Sequence, residues 1–306
     1  MLMRLAAVLL LLCLVLPVRA QEAAGDAQHV LVLGRISDDP KSHHDQLKPL
    51  LDYVVPRMRD VGIREGRILM ARDLQQMTSY LRRGRVDWVT ETSGNGLLLA
   101  GRARARPLLL TERGGVATYR TLFFARRDSG IAGLAQLNGR SVAFQHPYST
   151  SAYYVPASEL LDQGLQLELL LSPMDAPPRD RVGYMFARSE LNIATWVHKR
   201  LVDVGALSNL DWEDPDAMPP AFRKDLVVIA ECPEVPRALE LVRGDLPPRV
   251  RERLREVLLE AASDPDAAEA LRRFFGTTRF LAPDAPTQGR LRELGRRVQR
   301  VRAEVE

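Results

Sequence analysis

The sequence predicts an α/β fold in two lobes, built on mixed sheets with helices on both faces. Short apolar runs alternate with amphipathic helical patterns along most of the chain, which is typical of helices covering a parallel or mixed sheet. The 306 residues allow two lobes of ~100–150 residues each. Two β-favouring runs, residues 118–130 and 224–231, are long enough to act as two crossover strands that form a hinge.

The N-terminus has the pattern of a secretory signal peptide. Arg4 precedes the apolar run Leu5–Leu16, Pro17 ends that run, and Val18-Arg19-Ala20 offers small residues at a cleavage position. The run is shorter than the ~20 apolar residues that span a bilayer. We therefore expect residues 1–20 to be removed and the mature protein to reside in the periplasm.

Composition excludes several classes of partner and site. The net charge of +4 includes two arginines of the signal and is spread along the chain, so neither nucleic acid nor a membrane surface is an expected partner. Cys232 is the one cysteine after the signal, which excludes an intramolecular disulfide. His43 and His44 are adjacent and cannot face one metal ion, and Gly94, Gly96 and Gly101 lack dinucleotide-loop spacing. We expect no metal and no cofactor.

Periodicity assigns the elements of the first lobe, residues 28–116. Apolar runs predict strands at 29–33, 67–71, 86–90 and 108–110, and helical spacing predicts helices at 47–58 and 74–81. The stretch TETSGNG, Thr90–Gly96, is predicted to be a loop after the third strand.

The second lobe is predicted to span residues 117–223, and residues 224–306 to complete the first lobe with C-terminal helices. Residues 141–145 form a predicted strand, a helix leaves from about Ser151 and stops at Gly164, and another covers 191–198. Leu291, Leu294, Val298 and Val301 recur at helical spacing. They predict a last helix that docks on the first lobe with its arginines in solvent.

Two segments resemble each other across the lobes. RRGRVDWVTETS and HKRLVDVGALS each place a basic helix end before Val-Asp, a short strand and a small polar loop. Asp87 and Asp203 would then occupy equivalent places. An internal repeat and a chance match both remain open.

Three consecutive hydroxyl residues, Ser149, Thr150 and Ser151, stand before the helix that leaves from about Ser151. Serine and threonine are favoured helix N-caps, and a helix N-terminus with nearby hydroxyls also binds anions. A nucleophilic serine is a further alternative, but no G-x-S-x-G elbow surrounds it and His146 lies on the same short loop.

Residues 119–165 resemble the second-lobe core of the phosphate, phosphite and phosphonate family of periplasmic substrate-binding proteins. The shared motifs are a tyrosine-led strand, R-D-S-G-I, L-x-G-x-x-V-A-F and P-x-S-T-S, followed by a proline in the next helix. Weaker similarity extends the match to residues 30–230. The family usually has a Gly-Pro-x-x-Tyr loop where this chain has ETSGNGLLLAG, and a histidine where it has Glu190.

The resemblance implies a type II, Venus-flytrap binding protein without enzymatic activity. It would act as a monomer that captures a small phosphorus oxyanion (phosphonate, phosphite or phosphate) by closing its two lobes. Its membrane partner would be the permease of an ABC transporter. The same fold could instead feed a membrane sensor, a kinase or cyclase, and a secreted serine hydrolase is a third alternative.

The resemblance also implies the ligand contacts. Ser149, Thr150 and Ser151 would hold the phosphonate oxygens, and Asp203 would face the cleft from the second lobe. Glu91 and Glu190 could select a cationic group or be solvated surface acids. The full set of candidate ligand-binding residues is Ser37, Thr92, Ser93, Asn95, Tyr119, Ser149, Thr150, Ser151, Ala152 and Asp203.

Overall fold

The computed structural model describes residues 30–306, and the predicted signal peptide lies outside them. Within this range the strands are β1 Val30–Ile36, β2 Glu65–Ala71, β3 Trp88–Thr92, β4 Arg106–Arg113, β5 Thr118–Tyr119, β6 Thr121–Arg126, β7 Ser141–Phe144, β8 Leu167–Leu169, β9 Val182–Phe186, β10 Val204–Ser208, β11 Leu226–Glu231, β12 Val235–Pro236, β13 Ala238–Val242 and β14 Thr277–Leu281. The α-helices are α1 Pro40–Val54, α2 Leu74–Arg82, α3 Ser93–Ala103, α4 Val155–Asp162, α5 Glu190–His198, α6 Asn209–Glu213, α7 Pro220–Arg223, α8 Pro248–Glu260, α9 Ala268–Arg273 and α10 Ala285–Glu304.

These elements form two lobes, each built on one six-stranded mixed sheet, as predicted. The first sheet has the order β14-β4-β13-β3-β1-β2, and the second has the order β11-β6-β10-β7-β9-β8. In the first sheet β1 runs parallel to β2 and β3, whereas β13 is antiparallel to both β3 and β4. In the second sheet β7 runs parallel to β9 and β10, and β6 is antiparallel to β10 and β11. The carboxyl ends of most strands therefore share one edge in each sheet.

The second crossing, from the second lobe back to the first, comes later in the chain than predicted. The crossings pair as a two-stranded ribbon, β5 with β12, in which Tyr119 faces Val235. The run at 224–231 is instead strand β11, which pairs with β6 inside the second sheet. The second sheet thus extends beyond residue 223, where we predicted the second lobe to end. The apolar pattern of β11 therefore belongs to a half-buried edge strand of the second sheet rather than to a crossing.

The last helix, α10, packs on both lobes rather than on the first alone. Its predicted apolar stripe, Leu291 to Val301, is buried and belongs to one hydrophobic cluster with α3 of the first lobe and α4 of the second. Two of its arginines also leave the solvent face we predicted for them. Arg297 pairs with Glu159 and Asp162 of α4 at 3.5 and 3.2 Å, and Arg300 approaches Asp162 to 2.6 Å.

Asp87 and Asp203 occupy equivalent places in the two sheets. Asp87 precedes β3 and accepts a hydrogen bond from the Val32 amide of β1 at 2.9 Å. Asp203 precedes β10 and accepts one from the Ser141 amide of β7, also at 2.9 Å. Each aspartate thus ties together the amino ends of two adjacent parallel strands. The resemblance between the two sequence segments therefore has a structural counterpart.

This position corrects the prediction that Asp203 faces the cleft. Asp203 lies at the amino edge of the second sheet, whereas the hydroxyl residues follow the carboxyl end of β7. Its carboxylate also accepts from the Ser141 hydroxyl at 3.0 Å and pairs with Arg140 at 3.4 Å. Asp203 closes the start of a strand, which was the alternative role of this residue.

Replacing Asp203 should therefore affect stability and not binding. Asp203→Ala leaves the Ser141 amide without its acceptor, and we expect a loss of about 1–2 kcal/mol in the free energy of unfolding. Urea unfolding measures that loss, and calorimetry on the folded variant measures ligand affinity. A fall in affinity larger than about threefold, by the arithmetic of binding, would return Asp203 to the ligand site.

Candidate functional site

The carboxyl edges of the two sheets face each other and define the interlobe cleft. On the second lobe this edge carries the turn between β7 and α4, residues 145–154. The turn is closed by the Gln145 amide, which donates to the Ala152 carbonyl at 3.0 Å. On the first lobe the same edge carries the amino end of α3, which begins directly after β3. Ligands of open α/β sheets bind at such strand ends.

The second-lobe turn is wound as a π-helical turn. The amides of Tyr154 and Val155 donate to carbonyls five residues earlier, Ser149 and Thr150. Ser149 caps this turn, because its hydroxyl accepts from the Ala152 amide at 3.1 Å. The capping interpretation therefore holds for Ser149, and the Ala152 amide is already occupied. Single π turns are frequent at functional sites.

Thr150 links the two lobes. Its hydroxyl oxygen accepts a hydrogen bond from the amide of Gly94, in the first turn of α3, at 2.9 Å. Helix α3 has no side-chain cap of its own, so the opposite lobe supplies the acceptor that a helix N-terminus requires. Thr150 is 1% exposed. Thr150 is therefore enclosed between the lobes in this closed arrangement.

Tyr119 joins the same cluster from the ribbon between the lobes. Its phenol oxygen is hydrogen-bonded with the hydroxyls of Thr150 and Ser151, while burial raises its pKa to about 12. The Ser151 carbonyl accepts from the Thr121 hydroxyl at 2.6 Å. Three predicted residues, Tyr119, Thr150 and Ser151, are thus brought together.

The prediction that TETSGNG, Thr90–Gly96, forms a loop is wrong, because Ser93 already starts α3. The Ser93 hydroxyl donates to the Pro236 carbonyl of the ribbon and is not free for a ligand. Thr92 Oγ1 and Asn95 Oδ1, in contrast, are buried without a hydrogen-bond partner between residues 30 and 306. Both atoms flank the amino end of α3, so they stay candidates for ligand contacts.

Ser37 follows β1 at the same edge of the first sheet. Its hydroxyl lies 2.6 Å from Nδ1 of His43. Burial, followed by the charge of Arg35, lowers the pKa of His43. A neutral imidazole can then accept from the Ser37 hydroxyl. Ser37 is 8% exposed and remains a candidate at the rim of the cleft.

The two acids singled out in the sequence have different roles. Glu91 is 3% exposed and accepts from the Ile36 amide at 2.9 Å and from the Asn95 side-chain amide at 3.2 Å. It is therefore neither a surface acid nor a free partner for a cation. Glu190 is half-buried and accepts from Gln145 Nε2 at 2.5 Å. Burial, then the charge of Asp211, raises its pKa to about 7.

Comparison with known families decides the identity of this fold. The family model of the periplasmic substrate-binding protein of phosphonate ABC transporters matches residues 36–287. The chain belongs to this family. The resemblance in the second-lobe core and the type II fold are thereby confirmed, as is the assignment of the chain to periplasmic binding proteins.

Solved structures of similar chains agree. XAC2383 from Xanthomonas citri, bound to chloride ion, is 58% identical, with a TM-score of 0.88 over 90% of this chain and 100% of that one. The same protein bound to ATP is 57% identical, with a TM-score of 0.87 over 91% of this chain and 100% of that one. A binding component of an ABC phosphonate transporter from Pseudomonas aeruginosa is 22% identical, with a TM-score of 0.62 over 90% and 88%, and supports the fold alone.

No helix between residues 30 and 306 combines the length and the apolar character that spanning a bilayer requires.

Gly94 is the site residue that sequence reasoning missed. In the sequence Gly94 belongs only to a glycine pattern, yet its amide is the first-lobe partner of Thr150. A Cβ at this position would lie 2.7 Å from Thr150 Oγ1 and 3.1 Å from Tyr154 Cδ2. The need for a residue without a side chain follows from contact with the other lobe. A local pattern carries no signal of such a contact.

Proposed function

We propose that this periplasmic substrate-binding protein captures a small anion with a phosphoryl or phosphonyl group between its lobes and delivers it to an ABC permease. The contact that carries the proposal joins Thr150 Oγ1 to the amide at the start of α3. A helix N-terminus and hydroxyl groups are suitable donors for a tetrahedral oxyanion.

The donors come from both lobes, as a closing trap requires. Thr150 and Ser151 lie on the second lobe, Gly94 on the first, and Tyr119 on the ribbon between them. Because Thr150 is 1% exposed, a ligand reaches this point only when the lobes separate, and the lobes would then close again around it beside the Gly94–Thr150 contact. Hinge closure around a ligand is the motion that this architecture supports.

The family and a relative support a phosphorus ligand. The family is that of the periplasmic substrate-binding proteins of phosphonate ABC transporters. The 57% identical relative is bound to ATP. Phosphonates and ATP both present anionic oxygens on tetrahedral phosphorus, and hydroxyl and amide donors bind this shared feature.

The same geometry gives no support to a serine hydrolase. Ser149 Oγ accepts from the Ala152 amide, and His146 Nδ1 accepts from the Tyr148 amide at 3.1 Å. Nδ1 of His146 is therefore not available as a base for that hydroxyl, and a nucleophilic serine needs such a base. We infer that the protein binds its ligand without transforming it.

Calorimetric titration of the mature protein with phosphate, phosphite, methylphosphonate and ATP tests this function. We expect binding of at least one of these anions and a roughly tenfold weaker affinity in Thr150→Val, because one charge-assisted hydrogen bond is lost. Ser158→Ala is a matched control, since the Ser158 hydroxyl bonds only to its own helix, at the Val155 carbonyl. An absence of heat with all four anions would contradict the proposed ligand class.

A further inference from the structure

Two arginines of the first lobe have guanidinium nitrogens that lack partners. Nε and Nη1 of Arg35 and Nε and Nη2 of Arg113 are buried, and no atom between residues 30 and 306 accepts a hydrogen bond from them. Native proteins satisfy nearly all buried donors with protein groups, ordered water or a bound ion. The planar guanidinium group matches the oxygens of phosphate in geometry and charge.

One aromatic ring holds both cations. The guanidinium carbons of Arg35 and Arg113 lie 4.3 and 4.6 Å from the ring centroid of Phe275. Because both guanidinium groups contact the same ring, the two cations lie close to each other. The Phe275 backbone has a φ of 55°, a left-handed conformation that is rare for a bulky residue. The turn at Phe275 thus carries the ring that both arginines contact.

The charge of the pair is not neutralised within the first lobe. Glu240 and Glu91 are the acids that act on Arg113, but neither forms an ion pair with it. The oxygens of Glu240 accept from three side chains of the first sheet, at 2.6, 2.9 and 2.6 Å. Burial, then the charge of Arg35, lowers the pKa of Arg113 to about 10. Arg113 therefore stays a cation at neutral pH.

The pair lies at the same sheet edge as the amino end of α3. Arg35 is near the carboxyl end of β1 and Arg113 ends β4, while β3, which leads to Gly94, lies between them in the sheet. Adjacent strands are about 4.8 Å apart. The backbones of Arg35 and Arg113 thus lie one and two strand spacings from β3, on either side of the strand that leads to the Gly94–Thr150 contact.

We infer that Arg35 and Arg113 form a second anion subsite beside Thr150, and that the ligand carries two or more linked phosphoryl groups. Inorganic pyrophosphate and nucleoside polyphosphates have this chemistry. The inference rests on the proposed function, because it extends the same cleft by a second subsite on the first lobe. The Xanthomonas citri relative bound to ATP holds a ligand of this class.

Calorimetry with methylphosphonate, inorganic pyrophosphate and ATP in magnesium-free buffer tests the subsite. We expect pyrophosphate and ATP to bind at least tenfold more tightly than methylphosphonate. Arg35→Gln and Arg113→Gln should each lower the affinity for pyrophosphate and ATP at least tenfold, the equivalent of one charged hydrogen bond. Affinity for methylphosphonate should change less than threefold, whereas Thr150→Val should weaken all three ligands.

Two further variants keep the test decisive. Arg279→Gln removes a positive charge from the neighbouring strand, where Arg279 pairs with Glu112 at 2.9 Å, and we expect no change in affinity. Arg113→Lys keeps the charge but lacks the planar donors, and it replaces Arg113→Gln in the test if that variant does not fold. We expect it to lose less affinity for pyrophosphate and ATP than a neutral side chain would. Unchanged pyrophosphate and ATP affinity in both Arg35→Gln and Arg113→Gln, or equal losses for methylphosphonate, would overturn the second subsite alone. Failure of the unmodified protein to bind any of the three anions would overturn the proposed function as well.

Discussion

Gly94→Val is expected to weaken ligand binding about 100-fold or more while both lobes stay folded. A Cβ at Gly94 would lie 2.7 Å from Thr150 Oγ1, and valine adds two further methyl groups toward the second lobe. Overpacking of such a contact costs typically 1–3 kcal/mol, and we expect the upper end here because Thr150 is fully enclosed. The clash arises only when the lobes close, so it acts on binding rather than on the folding of either lobe.

Calorimetry with the tightest of the phosphorus ligands measures the affinity, and small-angle scattering measures the radius of gyration with and without ligand. Gly101→Val is the matched control on the same helix, since a Cβ there would meet only Gln299 Nε2 at 3.9 Å. We expect Gly101→Val to bind and to close like the unmodified protein. Wild-type affinity in Gly94→Val would show that α3 does not meet the Thr150 turn in the closed, ligand-bound form.

Glu190→Gln is expected to make the protein more stable above neutral pH and to leave it unchanged in acid. The pKa of Glu190 is raised from 4.5 to about 7 by burial and then by the charge of Asp211. The unfolded chain therefore loses its proton at lower pH than the folded protein. Stability falls as the pH rises from about 4.5 to 7, and the loss persists above 7. Glutamine is neutral at every pH, so it avoids this loss.

The difference in unfolding free energy between the variant and the unmodified protein should reach about 2–3 kcal/mol at pH 8 and vanish near pH 4. Urea unfolding at a series of pH values measures it. Glu213→Gln, on nearby α6, is the control, because that side chain is 71% exposed and surface ion pairs contribute less than ~1 kcal/mol. A difference for Glu190→Gln that does not grow between pH 4 and 8 would contradict a half-buried Glu190 that ionises with a raised pKa.

Local patterns predict the elements of this protein well. Alternating apolar runs and helical spacing lead to the two sheets, and the stripe from Leu291 to Val301 is buried as its spacing indicates. The elements follow from the sequence because burying an apolar face requires the period of a strand or a helix. The π turn at 150–154 begins close to the predicted helix start at Ser151.

Direction along a strand separates Asp203 from Thr150. Both residues adjoin neighbouring strands of the second sheet, but one precedes its strand and the other follows it. In parallel strands these positions lie at opposite edges. A motif that gives only residue types cannot distinguish a carboxylate that joins two strands from one that faces a ligand.

By itself the sequence determined the family, the α/β elements and the hydroxyl turn, because these depend on local periodicity and on a contiguous motif from Tyr119 to Leu165. Only the tertiary structure decided what meets that turn. Gly94 and Thr150 are 56 residues apart. Arg35 of β1 and Arg113 of β4 converge on Phe275, which lies between α9 and β14. Contacts between distant segments depend on how sheets and lobes pack, and pattern within one segment does not record that packing.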